Sequence, residues 1–85
     1  MKDFNTVWAN IARNQGETFW TVRKIPFTYA VKDSYILINN DKKRRITKEH
    51  IQKAILIVDP SPAKIQRENI WGPTYVYGII VDNRI

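Results

Sequence analysis

The sequence predicts a small α+β domain, in which a small antiparallel sheet of three or four strands carries two packed helices. Three observations predict it. Residues 4–14 and 48–58 each repeat apolar side chains at helical spacing. Between the first of these segments and residue 39 runs a stretch rich in β-branched and aromatic residues, broken by short polar turns. The chain has 85 residues, the size of one domain, and 44% of them are hydrophobic, including thirteen Ile. A chain this short buries only roughly 60% of the surface its unfolded form exposes, so its core has to be economical. We read residues 1–85 as a single domain.

The first helix is expected over Phe4–Asn14. Asp3 places a carboxylate beside the unpaired N–H groups of the first turn. Phe4, Val7, Trp8 and Ile11 form one apolar stripe, and Gly16 follows where a left-handed residue commonly closes a helix. Three strands are expected next, at Thr18–Val22, Phe27–Val31 and Tyr35–Ile38, joined by turns short enough to make an antiparallel meander. Alternation along the second puts Phe27, Tyr29 and Val31 on the heavier, inward side.

The second helix is expected over Lys48–Val58. Thr47 is its capping residue, Ile46 and Ile51 stand at the positions of a hydrophobic staple, and Asp59-Pro60 stops it. Ser61-Pro62 then starts a short helix to about Asn69. Thr74–Val81 is expected as a strand, with a short helix capped by Thr74 as the alternative. The resulting order is α-β-β-β-α-α-β.

The sequence argues against catalysis. It has no Cys, which removes thiol nucleophiles and Cys-based zinc sites, and its single histidine, His50, lies off the apolar stripe of its helix as a surface residue. Asp41-Lys42-Lys43 has the Asp-x-Lys form of some metal-dependent nucleases, but no Pro-Asp pair exists to complete that motif, so it reads as a charged turn. The three glycines are isolated and form no phosphate-binding loop. No catalytic residue, metal site or cofactor is assigned. The residues carry no resemblance to a known family.

Charge is the most informative feature. Fourteen Lys and Arg against eight Asp and Glu give a formal +6, which favours polyanionic partners. Lys42, Lys43, Arg44 and Arg45 run as a loop into the start of the second helix, with Thr47 and Lys48 just beyond. A helix N-terminus already carries partial positive charge and free N–H donors, so cations placed there point to an anion. Arg23 and Lys24, at the first strand turn, are the second candidate group. The strand aromatics Phe19, Trp20, Phe27, Tyr29, Tyr35, Tyr75 and Tyr77 suit either a core or a base-stacking platform, and the core reading is favoured. Lys64, Gln66, Arg67 and Asn69 on the short helix give only a weak helix-turn-helix signal.

The expected function is that of a small basic binding protein associated with DNA or RNA, an accessory protein of the kind a bacterial or phage genome rich in A·T encodes. The alternative is a protein–protein interaction module or homodimer using the uncharged first helix or an edge strand. The lack of Cys and of a leader-like or spanning apolar run points to the cytoplasm, with no membrane among the partners.

Overall fold

Asp3 accepts a hydrogen bond from the Thr6 N–H at 3.1 Å, and the helix it starts, α1 (Phe4–Arg13), buries Val7 and Ile11. The computed structural model describes residues 3–39 and 41–85 and, over residues 41–44, the backbone alone. Past α1 the chain turns back through Gly16, which is left-handed with φ 85° and donates its N–H to the Tyr29 carbonyl at 3.0 Å.

The strand region forms two sheets rather than one meander. β1 (Phe19–Trp20) pairs antiparallel with β2 (Pro26–Phe27), with Phe19 opposite Phe27. β3 (Tyr29–Val31), β4 (Tyr35–Ile38) and β5 (Asp41–Thr47) make a second antiparallel sheet in that order. The expected strand Phe27–Val31 is therefore divided at Thr28. Phe27 is pinned to Phe19 and Tyr29 to Ile38, and the chain crosses between sheets at the residue separating them. The Asn39 N–H donates to the Thr28 carbonyl at 3.0 Å and holds the crossing.

Residues 42–45 lie in β5, not in the loop expected for them. Period-two alternation is absent there, because Ile46 is the strand's one apolar residue; pairing with β4 makes it a strand. Ile36 faces Ile46 and Leu37 faces Arg45, and then the register jumps so that Ile38 faces Asp41. That step covers one residue on β4 and four on β5, so residues 42–44 are taken up as a bulge in an edge strand.

The described residues form four helices. α2 (Lys48–Ile55) ends sooner than expected, at a Leu56 cap, and the left-handed Asp59 (φ 48°) precedes Pro60. α3 (Pro62–Arg67) starts where Ser61 accepts from the Lys64 N–H at 3.2 Å. Residues 74–81 are helical, not a strand: α4 (Pro73–Ile80) begins with Pro at its first position after a left-handed Gly72. Its β-branched and aromatic content misleads because the helix is covered by β1, α2 and α3, so apolar residues surround it and leave no stripe.

Gly78 sets how closely α4 approaches β1. A Cβ there would collide with the Trp20 carbonyl oxygen and lie 3.1 Å from Cε1 of Phe27. Around that contact Phe19, Phe27, Tyr29 and Tyr75 form a chain of rings with centroids 5.1–6.2 Å apart. Ile36, Ile38, Ile46, Ile51 and Ile65 fill the rest of the core. The α+β class expected from the sequence is the one observed, with the last element in its alternative, helical form.

Candidate functional site

The cationic end of the three-stranded sheet is built from β4, β5 and the first turn of α2. Ile46 points into the core, so strand alternation turns Arg45 outward, and it is exposed. Arg45 and Tyr35 are diagonal neighbours, since Tyr35 faces Thr47 two residues along. The guanidinium lies 4.6 Å from the Tyr35 ring centroid, a cation–π distance. Lys48 turns the other way, toward α1, where its ammonium lies 5.3 Å from the Trp8 ring centroid.

The helix start itself is closed. Thr47 Oγ1 accepts from the His50 N–H at 3.3 Å, and Nδ1 of His50 accepts from the Thr47 N–H at 3.4 Å. The Lys48 N–H donates to the Ser34 carbonyl at 3.1 Å. The two Thr47–His50 bonds form a capping box with His in the place usually held by Glu or Gln. Two of the N–H donors expected to meet an anion are thus already occupied, and His50, expected on the surface, is half-buried and serves the cap.

Positive charge at this end therefore comes from the side chains. Among the described residues, no carboxylate forms an ion pair with Arg45, Lys48, Arg23 or Lys24, whereas Arg84 pairs with Asp82 at 2.9 Å. Glu49, next to Lys48, lines the same shallow hollow as Ser34 and Thr47 without pairing with it. The side chains of Lys42, Lys43 and Arg44 lie outside the described residues; their backbone is the bulge of β5.

Arg23 and Lys24 have other neighbours. They stand in the turn between β1 and β2, where Lys24 is left-handed with φ 67°, and the hollows they line are shared with α4 and with Pro62. Arg45, Thr47 and Lys48 instead meet Tyr35, Trp8 and Ser34.

The sheet edges differ too. β3 is covered, because Gly16 N–H bonds the Tyr29 carbonyl and Gln15 Oε1 accepts from the Val31 N–H at 3.1 Å. β5 is the other edge, and it bears the cations.

The aromatic residues divide as a core would require. Phe19, Phe27 and Tyr29 are buried, Tyr35, Tyr75 and Tyr77 are half-buried, and Trp20 is exposed. The Tyr29 hydroxyl donates to the Ile11 carbonyl at 2.6 Å, and burial raises its pKa above the ordinary phenol range, partly opposed by Arg84. Lys64, read as a base-reading candidate, spends its ammonium on the Val58 and Asp59 carbonyls, each at 3.0 Å.

Sequence reasoning missed the use of His50, although Thr47 and His50 stand at capping-box spacing. It also missed Arg84, whose guanidinium lies 3.9 Å from the Phe19 ring centroid and donates to the Thr18 carbonyl at 2.8 Å. No sequence signal foretells a contact between positions so far apart. The described residues contain no cluster of metal-ligating side chains, and no helix among them is long and apolar enough to cross a membrane. Compared with protein families, curated proteins and solved structures, the chain matches none of them.

Proposed function

We propose that the protein is a non-catalytic binder of nucleic acid in the cytoplasm, holding phosphates along β5 and at the start of α2. The observation that carries this reading is a run of four cations, Lys42 to Arg45, on an edge strand, continued by Lys48, in which Arg45 and Lys48 meet no carboxylate among the described residues. Cations following one another along an edge strand raise the positive potential there, which suits a phosphate chain and carries no base specificity. The covering of the opposite edge at β3 leaves β5 as the sheet's charged side. His50, held in the cap by its own Nδ1, is a poor candidate for acid–base work.

Titration of a labelled oligonucleotide, single-stranded and duplex, at several salt concentrations tests the proposal. With about four phosphates neutralised, affinity falls about a hundredfold between about 50 and 200 mM salt. Replacing Lys42, Lys43, Arg44 and Arg45 together by Gln abolishes binding and leaves the circular dichroism spectrum unchanged. Binding that ignores salt, or that survives the fourfold replacement, rejects it.

A further inference from the structure

The β1–β2 hairpin carries a surface of different chemistry. Of the six exposed large hydrophobic side chains described, three fall within six residues of sequence: Trp20 at 49% exposure, Val22 at 48% and Ile25 at 53%. Val81 of the segment after α4, 44% exposed, lines the same hollow as Trp20 and Val22, and Val22 and Ile25 line a second hollow on the hairpin's other side. The four side chains therefore make a discontinuous arc around the two hollows, interrupted by the polar Thr21, Asp82 and Asn83 of the first. Arg23 and Lys24 are set within it, one bordering each hollow.

The tip is rigid. Thr21 N–H donates to the Ile25 carbonyl at 3.0 Å, Lys24 N–H donates to the Thr21 carbonyl at 2.8 Å, and Ile25 N–H donates to Thr21 Oγ1 at 3.2 Å. Three hydrogen bonds close the turn beneath the exposed apolar side chains, and exposed apolar clusters of this kind mark contact surfaces.

We infer that this hairpin tip docks on an anionic lipid bilayer, with the protein resting peripherally on the membrane surface. Charge complementarity identifies the occupant. Arg23 and Lys24 disfavour a second copy of this +6 chain docked tip to tip, which would bring like charges together, and the nearby Asp82 is already paired with Arg84. Nucleic acid would satisfy the cations and stack on Trp20, but it offers nothing to Val22, Ile25 or Val81. Protein interface cores are depleted of Lys, whereas a lipid headgroup layer takes Lys and Arg at its anionic level while neighbouring apolar side chains sink below it. Trp is the side chain favoured at that boundary. The sequence reading excluded a membrane because no segment spans one; a tip lying in the headgroup layer needs no span.

The experiment uses the full chain and vesicles of phosphatidylcholine with and without phosphatidylserine, followed by co-sedimentation and tryptophan fluorescence. Binding to phosphatidylserine vesicles with a blue shift is expected, and the shift disappears in Trp20→Phe, which leaves Trp8 and Trp71 packed against the core. Val22→Ser combined with Ile25→Ser abolishes binding without altering oligonucleotide affinity, so the two proposals fail separately. Arg23→Gln with Lys24→Asn, the latter suited to the left-handed position, weakens it by roughly fivefold per cation. Absence of vesicle binding overturns the inference. So does vesicle binding lost only when the cations of β5 are replaced, a dimer that the Ser variant dissociates, or an oligonucleotide that quenches Trp20 when vesicles do not bind.

Discussion

The two sheets are stabilised in different ways. The β3–β4–β5 sheet has seven paired positions in its two ladders, and a row of buried Ile fastens its inner face. The β1–β2 sheet has two paired positions and stands because its rings and its backbone are pressed against α4. An isolated two-stranded ribbon is marginal in water, so packing must supply what its ladder lacks. The difference shows in what each sheet presents to solvent. The longer sheet offers a charged edge on β5, and the shorter one a rigid turn with bare apolar side chains. Pairing can be extended through cationic residues because main-chain hydrogen bonds do not depend on side chains. A ribbon held at its base by packing leaves its tip outside the core.

Truncation of the ring cluster should expose this contrast most strongly. Phe19 is fully buried and touches Phe27, Tyr29 and Arg84. Phe19→Ala is expected to cost about 3–5 kcal/mol in urea unfolding, against about 0.5–1.5 kcal/mol for Ile46→Val in the longer sheet. A loss below about 2 kcal/mol for Phe19→Ala would show that the ring cluster does not hold the shorter sheet.

A smaller effect is expected from Gly78→Ala, at about 1–3 kcal/mol, because the added methyl meets the Trp20 backbone and not a side chain that can move away. Amide exchange should accelerate over residues 19–27 before residues 35–38. If the substitution leaves stability unchanged, α4 does not seat on β1 through this glycine.

The smallest effect belongs to Tyr29, which joins the two regions: its backbone pairs with Ile38 in one sheet and its ring packs on Phe19 of the other. Tyr29→Phe removes the bond to the Ile11 carbonyl and should cost about 1 kcal/mol. Burial raises the folded-state pKa of this hydroxyl above its unfolded value, so the folded protein retains the proton longer than the unfolded chain does. Its contribution is complete below the unfolded phenol pKa of about 10 and is lost as pH rises above it. Alkaline unfolding monitored at matched ionic strength should therefore shift to higher pH in Tyr29→Phe. An unchanged alkaline midpoint would mean that another group controls it.

Much of the candidate site could be seen in the sequence as charge, and little of it as geometry. Lys42 to Arg45 stand out in any count of residues, yet that Arg45 lies over Tyr35 and Lys48 over Trp8 depends on strand register and on how α1 meets α2. The donors that the α2 start seemed to offer were misjudged for the same reason. Ser34, fourteen residues upstream, takes the Lys48 N–H only because β4 and β5 pair. The apolar tip was hidden differently. Trp20, Val22 and Ile25 look like core residues by type, and only the ending of β1 at Trp20 leaves them outside.

Local residue order suffices for α1, the start of α2 and the start of α3. Their hydrogen bonds close within a few residues, and Asp3, Thr47 and Ser61 cap them from one turn away. Tertiary structure alone decided that the chain changes sheets at Thr28, that Lys42 to Arg45 extend a strand, and that residues 73–80 coil. A strand's main chain is satisfied by a distant partner, and an element covered on all sides shows no periodicity. Neither fact is written in the local order of residues.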